Sequence, residues 1–293
     1  MTHAATIQRD RAEGLASALP GLLAAAEQLA ASIQLGEHGR RRSGAGDEFW
    51  QYRQAVAGDS LRDIDWRRSA RSDTHFIRQK EWQAMQSVAL WADSSASMRF
   101  SSDKNVPHKA YQAQLLTLAT AVLLHRGGER ISLLGDAEPA SASRGALNRF
   151  AAALINENPA EFGAPFAKRL QRNTQIVLMS DFLGDPEPLQ TLLANAQSHG
   201  VRGAMLQVLD PHEVAFPYEG RSVFESPAGT LRHETLKAVG LRDRYKDRLA
   251  QRQDMLRSLA RSSGWQFSVY QSDTAPLPAL LWLYRAVSEG MPC

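Results

Sequence analysis

The sequence predicts an α/β fold: a mostly parallel sheet with helices on both faces, preceded by a helical segment and a small β module. Three observations carry this expectation. From Gln86 onward, short apolar runs alternate with helix-length stretches, the rhythm of a parallel sheet whose crossovers are helices. The runs "SVALWAD", "RISLLGD", "QIVLMSD" and "GAMLQVLD" are nearly continuous in apolar residues, as strands covered on both faces are. Each of the four ends on an aspartate, at positions 93, 136, 181 and 210, which gathers charge at one edge of the sheet.

Taken in order, residues 1–35 form an N-terminal helical segment. Leu15, Leu19, Leu22, Leu23, Ala26, Leu29 and Ile33 have near-helical spacing, interrupted by Pro20 and Gly21, and predict an amphipathic helix packed on the core. Residues 36–85 mix glycines with many arginines and aspartates and read as loops and short strands held by ion pairs, with Trp50, Trp66 and Trp82 as a small core. Residues 86–293 are the α/β domain. After the "SVALWAD" strand comes a helix from Pro107 to about His125, on which Tyr111, Leu115, Leu118 and Val122 share a face. Helices near 145–155 and 187–198 separate the next three strands. A β-hairpin excursion at about 211–235 follows, then a basic amphipathic helix over 241–262 and a last strand at "WQFSVYQ".

With 293 residues, 43% of them hydrophobic, the chain can bury a large core. Acids and bases nearly cancel, 34 Lys and Arg against 31 Asp and Glu, which gives little support to a general nucleic-acid binder. The one cysteine, Cys293, excludes an internal disulfide framework. No apolar run approaches the ~20 residues a membrane span needs. The start "MTHAATIQRDRAEG" lacks the apolar core of a signal peptide, so the expectation is a cytoplasmic protein without direct membrane insertion.

The stretch "LWADSSASM", residues 90–98, is the first candidate site. In open α/β sheets ligands bind outside the carboxyl ends of the strands, near the point where strand order reverses. Asp93-x-Ser95-x-Ser97 places one negative charge and two neutral oxygens on a narrow turn. That set suits Mg²⁺ (or Mn²⁺), hard ions that take oxygen ligands in octahedral geometry. The simpler alternative is a local one, in which Asp93 caps the turn and the serines satisfy loop backbone.

"DSSASM", with "VLMSDF" downstream, resembles the metal-ion-dependent adhesion site of von Willebrand factor A domains. The resemblance implies a Rossmann-like sheet, with Asp93, Ser95 and Ser97 as first-loop ligands and Asp181 as a late aspartate acting through water. Such domains usually supply a threonine from a middle loop. The segment "GDAEPASASRGAL" has none, and Ser141 or Ser143 would stand in its place.

A second resemblance spans about residues 33–290. Gly36 to His38, Arg40 to Gly46, Glu48 to Phe49, Tyr52 to Arg53, Gly58 to Asp59, Arg62 to Trp66 and Ser69 to Arg71 are similar, in order, to the signature of the bacterial domain-of-unknown-function-58 family. This resemblance implies a von Willebrand A-like domain behind a β module, working beside a MoxR-type AAA+ ATPase as an adaptor or assembly partner.

Other chemistries find less support. A Mg²⁺-dependent phosphatase of haloacid-dehalogenase type would use Asp93 as nucleophile, but needs a second acid at position 95, which is serine. The glycine gap from Gly39 to Gly44 imitates a P-loop, with Ala45 where the lysine must stand. His212-Glu213 and His233-Glu234 each start a zincin pattern, and Phe216 and Lys237 occupy the second histidine's place. The clusters Arg40, Arg41, Arg42 and Arg67, Arg68, Arg71 either grip an acidic partner or anion, or pair with Asp59, Asp63, Asp65 and Asp73 as solvated loop charge. The function expected is therefore a non-enzymatic, metal-dependent protein-interaction module, with a phosphatase or a metal-free scaffold as alternatives.

Overall fold

The structure, a computed structural model, describes residues 20–33, 43–56, 60, 64–70, 74–81, 87–136, 138–143, 145–156, 158–171, 174–226, 229 and 232–289. The chain divides into two compact units, Leu35–Met85 and a larger one of Met1–Gln34 with Gln86–Cys293.

In the smaller unit, strand β1 (Ser43–Gln54) pairs antiparallel with β2 (Phe76–Glu81), with two register irregularities between Gly44 and Gln51. A single helical turn, α2 (Trp66–Ser69), is capped by Asp65, whose carboxylate accepts from Arg68 N at 3.0 Å and from the Tyr52 hydroxyl at 3.1 Å. The Arg68 guanidinium stacks 4.2 Å from the Tyr52 ring centroid, a favourable cation–π arrangement. Ile64 and Ile77, rather than Trp66, are buried here. Trp66 is 56% exposed and meets His75 edge to face, while Ser69 is the residue of α2 that turns inward. Arg67 lies exposed on α2, and Arg40, Arg41, Arg42, Arg71 and Trp82 lie outside the described residues.

The larger unit is the expected α/β layer structure. Its sheet holds β3 (Ser87–Ala92), β4 (Arg130–Leu133), β5 (Thr174–Ser180), β6 (Arg202–Leu209) and β9 (Gln266–Gln271) in the order β4-β3-β5-β6-β9, with all neighbours parallel. Strand order reverses between β3 and β5, which opens a crevice at their carboxyl ends. Successive side chains of a strand point to opposite faces. Val88, Leu90, Val177, Met179, Leu206 and Val208 therefore meet one helix layer, and Ala89, Ile176, Leu178 and Met205 the other. Each large side chain so buried contributes roughly 1.5–3 kcal/mol relative to exposure.

The first layer contains α1 (20–31), α3 (Lys109–Arg126), α4 (Ala146–Leu154) and α8 (Pro276–Glu289). Helix α1 joins it through Leu22, Ala26 and Ala30, so the N-terminal segment shares the sheet's core. The second layer holds α5 (Glu187–Ser198) and α7 (Val239–Ser262). Helix α7 buries only Leu256 and Ala260, and the rest of its basic surface is solvated or partly so. Between β6 and α7 the short α6 (Pro211–Ala215) precedes an antiparallel hairpin, β7 (Ser222–Glu225) with β8 (Arg232–Thr235).

Helix α3 begins at Lys109 because His108 is still extended (φ −55°, ψ 145°). Leu115, Leu118 and Val122 are buried as expected, but Tyr111 is 42% exposed. The inward positions of the first turn are Lys109 and Gln112, which face the polar ends of the strands instead of their apolar middles.

Candidate functional site

The strand β3 hands over to the candidate site through Asp93, whose N–H donates to the Met179 carbonyl at 2.8 Å and prolongs the pairing with β5. The Asp93 carboxylate then turns the chain. Oδ1 accepts from Ser95 N at 2.8 Å, and Oδ2 accepts from the Ser180 hydroxyl at 2.7 Å. Ser95 opens a 3-10 turn, Ala96–Arg99, that brings Ser97 Oγ to 3.3 Å from Ser95 Oγ. Asp93, Ser95 and Ser97 are exposed by only 1%, 0% and 4%. Burial pushes the Asp93 carboxyl above its ordinary range; the hydrogen bonds from Ser180 and Ser95 oppose that rise, and the nearby Asp181 charge adds to it.

Residues 156 and 158–163 lie over this turn. Ser94 Oγ donates to Asn156 O, Asn158 N to Ser94 O, Ala96 N to Ala160 O and Ser97 N to Glu161 O, at 2.9–3.3 Å. Gly163 lies against the Asp93 carboxylate so closely that a methyl built there would fall 2.5 Å from Oδ2 and nearer still to Oδ1. Only glycine fits this approach.

Asp181 ends β5, next to Phe182 in the left-handed region (φ 50°), an uncommon conformation for an aromatic residue. Ser180 Oγ accepts from Phe182 N at 3.0 Å while donating to Asp93, so one hydroxyl ties the two strand ends together. Both Asp181 carboxylate oxygens are engaged: Oδ1 accepts from Leu183 N at 3.0 Å and Oδ2 from Lys109 Nζ at 2.9 Å. Gln207 of β6 donates to the Asp181 carbonyl at 2.8 Å.

Lys109 is fully buried and reaches a second carboxylate, Glu213 Oε1, at 2.6 Å. Glu213 belongs to a capping box. Its Oε2 accepts from Asp210 N at 2.8 Å, while Asp210 Oδ1 accepts from His212 N at 2.8 Å, which satisfies the open N–H groups of α6. Asp210 Oδ2 also accepts from Ser102 N at 2.9 Å, fastening the loop after β3 to the end of β6. Burial pulls the Lys109 ammonium down, but the Asp181 and Glu213 charges outweigh it and hold the group above its ordinary value. Burial lifts the Glu213 carboxyl despite the ammonium beside it, so Glu213 is the partner that takes up a proton more readily than an exposed glutamate.

Asp93, Ser95, Ser97 and Asp181 are thus gathered at the crevice between β3 and β5. Ser143 is placed elsewhere. Ser141 pairs antiparallel with Ile131, which is level with Val88, five residues or roughly 16 Å of strand before Asp93. Moving on to Ser143 leads further from the carboxyl edge, where its hydroxyl bonds to Ser141 at 3.1 Å. The loop beside the first turn is 156–163, which carries no hydroxyl. Among the described residues, no three His, Cys, Asp or Glu side chains form a group able to hold a metal ion, so a metal here depends on the serine oxygens. Sequence reasoning missed Lys109, Ser180, Glu213 and Gly163. Of these only Glu213 had a local signal, the Asp210-x-x-Glu213 capping spacing.

No helix among the described residues is long and apolar enough to cross a membrane. Among curated proteins, uncharacterized proteins of Mycobacterium tuberculosis and Mycobacterium bovis are each 28% identical over 267 residues, covering 84% of this chain and 81% of theirs. Two solved structures align with 70% of the chain at 16% identity and a TM-score of 0.42. One is a conserved hypothetical protein, BatB, from Bacteroides thetaiotaomicron, and the other an aerotolerance-related membrane protein from Bacteroides fragilis, covered over 98% and 99% of their lengths. The family described as protein of unknown function DUF58 matches residues 51–255. That match takes in most of both units, including β3, β5 and the carboxylates Asp181 and Glu213 bridged by Lys109, and the chain belongs to the DUF58 family.

Proposed function

We propose that this chain is a non-enzymatic protein-interaction module whose first turn holds Mg²⁺ or Mn²⁺, and that it serves as an adaptor or assembly partner of a MoxR-type AAA+ ATPase. The observation that carries the reading is the oxygen cluster of Asp93, Ser95 and Ser97 at the reversal of strand order. Its donor chemistry suits a hard dication: one carboxylate and two hydroxyls, all buried on one turn. The 3.3 Å between the two hydroxyl oxygens is close to the ~2.9 Å edge of an octahedron with bonds of about 2.0–2.1 Å. A bound Mg²⁺ would supply positive charge and open coordination positions for a partner's carboxylate.

The chain's own residues determine access. The loop 156–163 lies over Asp93, so a partner reaches the cluster only with that loop displaced and its four hydrogen bonds to residues 94–97 broken. A phosphatase reading gains no comparable support, since the second acid it needs two residues after Asp93 is replaced by Ser95. In the smaller unit, exposed Arg67 offers a second contact for an acidic partner.

The test is affinity capture with wild type and Asp93→Ala/Ser95→Ala, each in Mg²⁺ and in EDTA, using a purified MoxR-type ATPase as the probe. Retention by wild type in Mg²⁺ alone is the expected result. Equal retention in all four conditions, or in none, refutes the metal-gated contact.

A further inference from the structure

We propose that Lys109 sets the cation affinity of the strand-end cluster: its buried ammonium is a built-in counter-ion for Asp181, and a metal ion at Asp93, Ser95 and Ser97 must compete with it. This deepens the metal reading above and rests on it.

Fully buried lysines are rare and almost always paired. Lys109 has no exposed side-chain surface, and its ammonium bonds Asp181 at 2.9 Å and Glu213 at 2.6 Å while lying 6.0 Å from the Phe100 ring centroid. Asp181 is held on every side. Its carboxylate is shared between Lys109 and Leu183 N, its carbonyl is held by Gln207, and the left-handed Phe182 follows it. Ser180 joins this turn to Asp93, so Asp181 cannot lean toward an ion at the first turn without leaving the ammonium or disturbing Ser180.

Two physical consequences follow. A carboxylate already neutralised at 2.9 Å contributes little attraction to a dication nearby, and the ammonium itself repels that dication across a medium of low dielectric constant. The cluster therefore binds divalent ions weakly while Lys109 is in place. Glu213 keeps the ammonium from following Asp181, because it draws the same nitrogen toward α6.

The experiment is a Mn²⁺ titration followed by electron paramagnetic resonance, with Mg²⁺ competition, on the whole chain. Lys109→Met/Glu213→Gln removes the ammonium and the carboxylate that would otherwise be stranded, and leaves Asp181 without a counter-ion. It should bind Mn²⁺ at least about tenfold more tightly than wild type, while Lys109→Arg, which keeps the charge, stays within about threefold. Adding Asp93→Asn should abolish the gain, which a general loosening of the fold would not predict. If Lys109→Met/Glu213→Gln does not fold, Lys109→Gln/Glu213→Gln replaces it, since the amide can still donate to Asp181 and no second carboxylate is stranded. Equal binding by wild type and the neutralised variant overturns the role of Lys109 alone. Binding by neither overturns the metal reading and this inference with it.

Discussion

Replacing Lys109 by methionine is the most informative single perturbation of stability. Methionine fills the alkyl part of the site but removes the ammonium, leaving Asp181 (1% exposed) and Glu213 (15% exposed) as neighbouring carboxylates without a counter-ion. Two charge-assisted hydrogen bonds at 2.9 and 2.6 Å are lost together. Removing one partner of a buried ion pair typically costs about 3–5 kcal/mol, mostly as the penalty of the stranded charge. Against a domain stability of about 5–15 kcal/mol this is a large fraction. At ~2–4 °C per kcal/mol it lowers the melting midpoint by roughly 6–20 °C.

The assay is urea unfolding at pH 7 followed by circular dichroism, repeated down to pH 4. Burial already lifts the Glu213 carboxyl above its ordinary value of 4.5, and loss of the ammonium lifts it further. A carboxyl raised on folding contributes stability in full below its unfolded value and loses it as pH rises through the folded one. The variant's deficit must therefore be smallest near pH 4 and grow toward neutrality. Lys109→Met/Asp181→Asn/Glu213→Gln, which strands no charge, should recover most of the loss. A variant within about 1 kcal/mol of wild type at pH 7, or a deficit that does not change with pH, would refute the reasoning.

The remaining expectations concern single contacts. Gly163→Ala forces a methyl onto the Asp93 carboxylate and should cost about 1–3 kcal/mol by thermal unfolding. Gly240→Ala is its control: it meets nothing within 4 Å in the first turn of α7 and should stabilise by about 0.4–1 kcal/mol. Asp93 carries a carboxyl whose value burial raises, so in the absence of divalent ions the wild-type fold should gain stability as pH falls through that raised value, and Asp93→Asn should remove this pH dependence, as denaturant midpoints across pH would reveal. Burial pushes the Tyr270 phenol up to about 12 from 10.0, so its contribution to stability is complete below pH 10 and is lost as pH rises toward 12. Tyrosinate absorbance at 295 nm should rise together with unfolding in that window, and free titration of all tyrosines near pH 10 in the folded protein would contradict this.

The sequence by itself determined the layers, because the signals are local. An unbroken apolar run such as "IVLM" at 176–179 has to be covered on both faces, and the stretch from Lys109 to Arg126 is apolar enough to be enclosed by sheet and helices. It also located Asp93 and Asp181, since each directly follows its strand, and the parallel pairing of β3 with β5 makes them neighbours. Only the tertiary structure decided what meets them. Lys109 reaches Asp181 across 72 residues and Glu213 across 104, and no spacing in the chain encodes those approaches. The loop lying beside the first turn proved to be 156–163 rather than the serines at 141–143, because the segment after β4 folds back along that strand before the chain returns to the edge. The same physics makes Gly163 obligatory: its lack of a side chain matters only because the fold lays its backbone on a carboxylate seventy residues earlier in the chain.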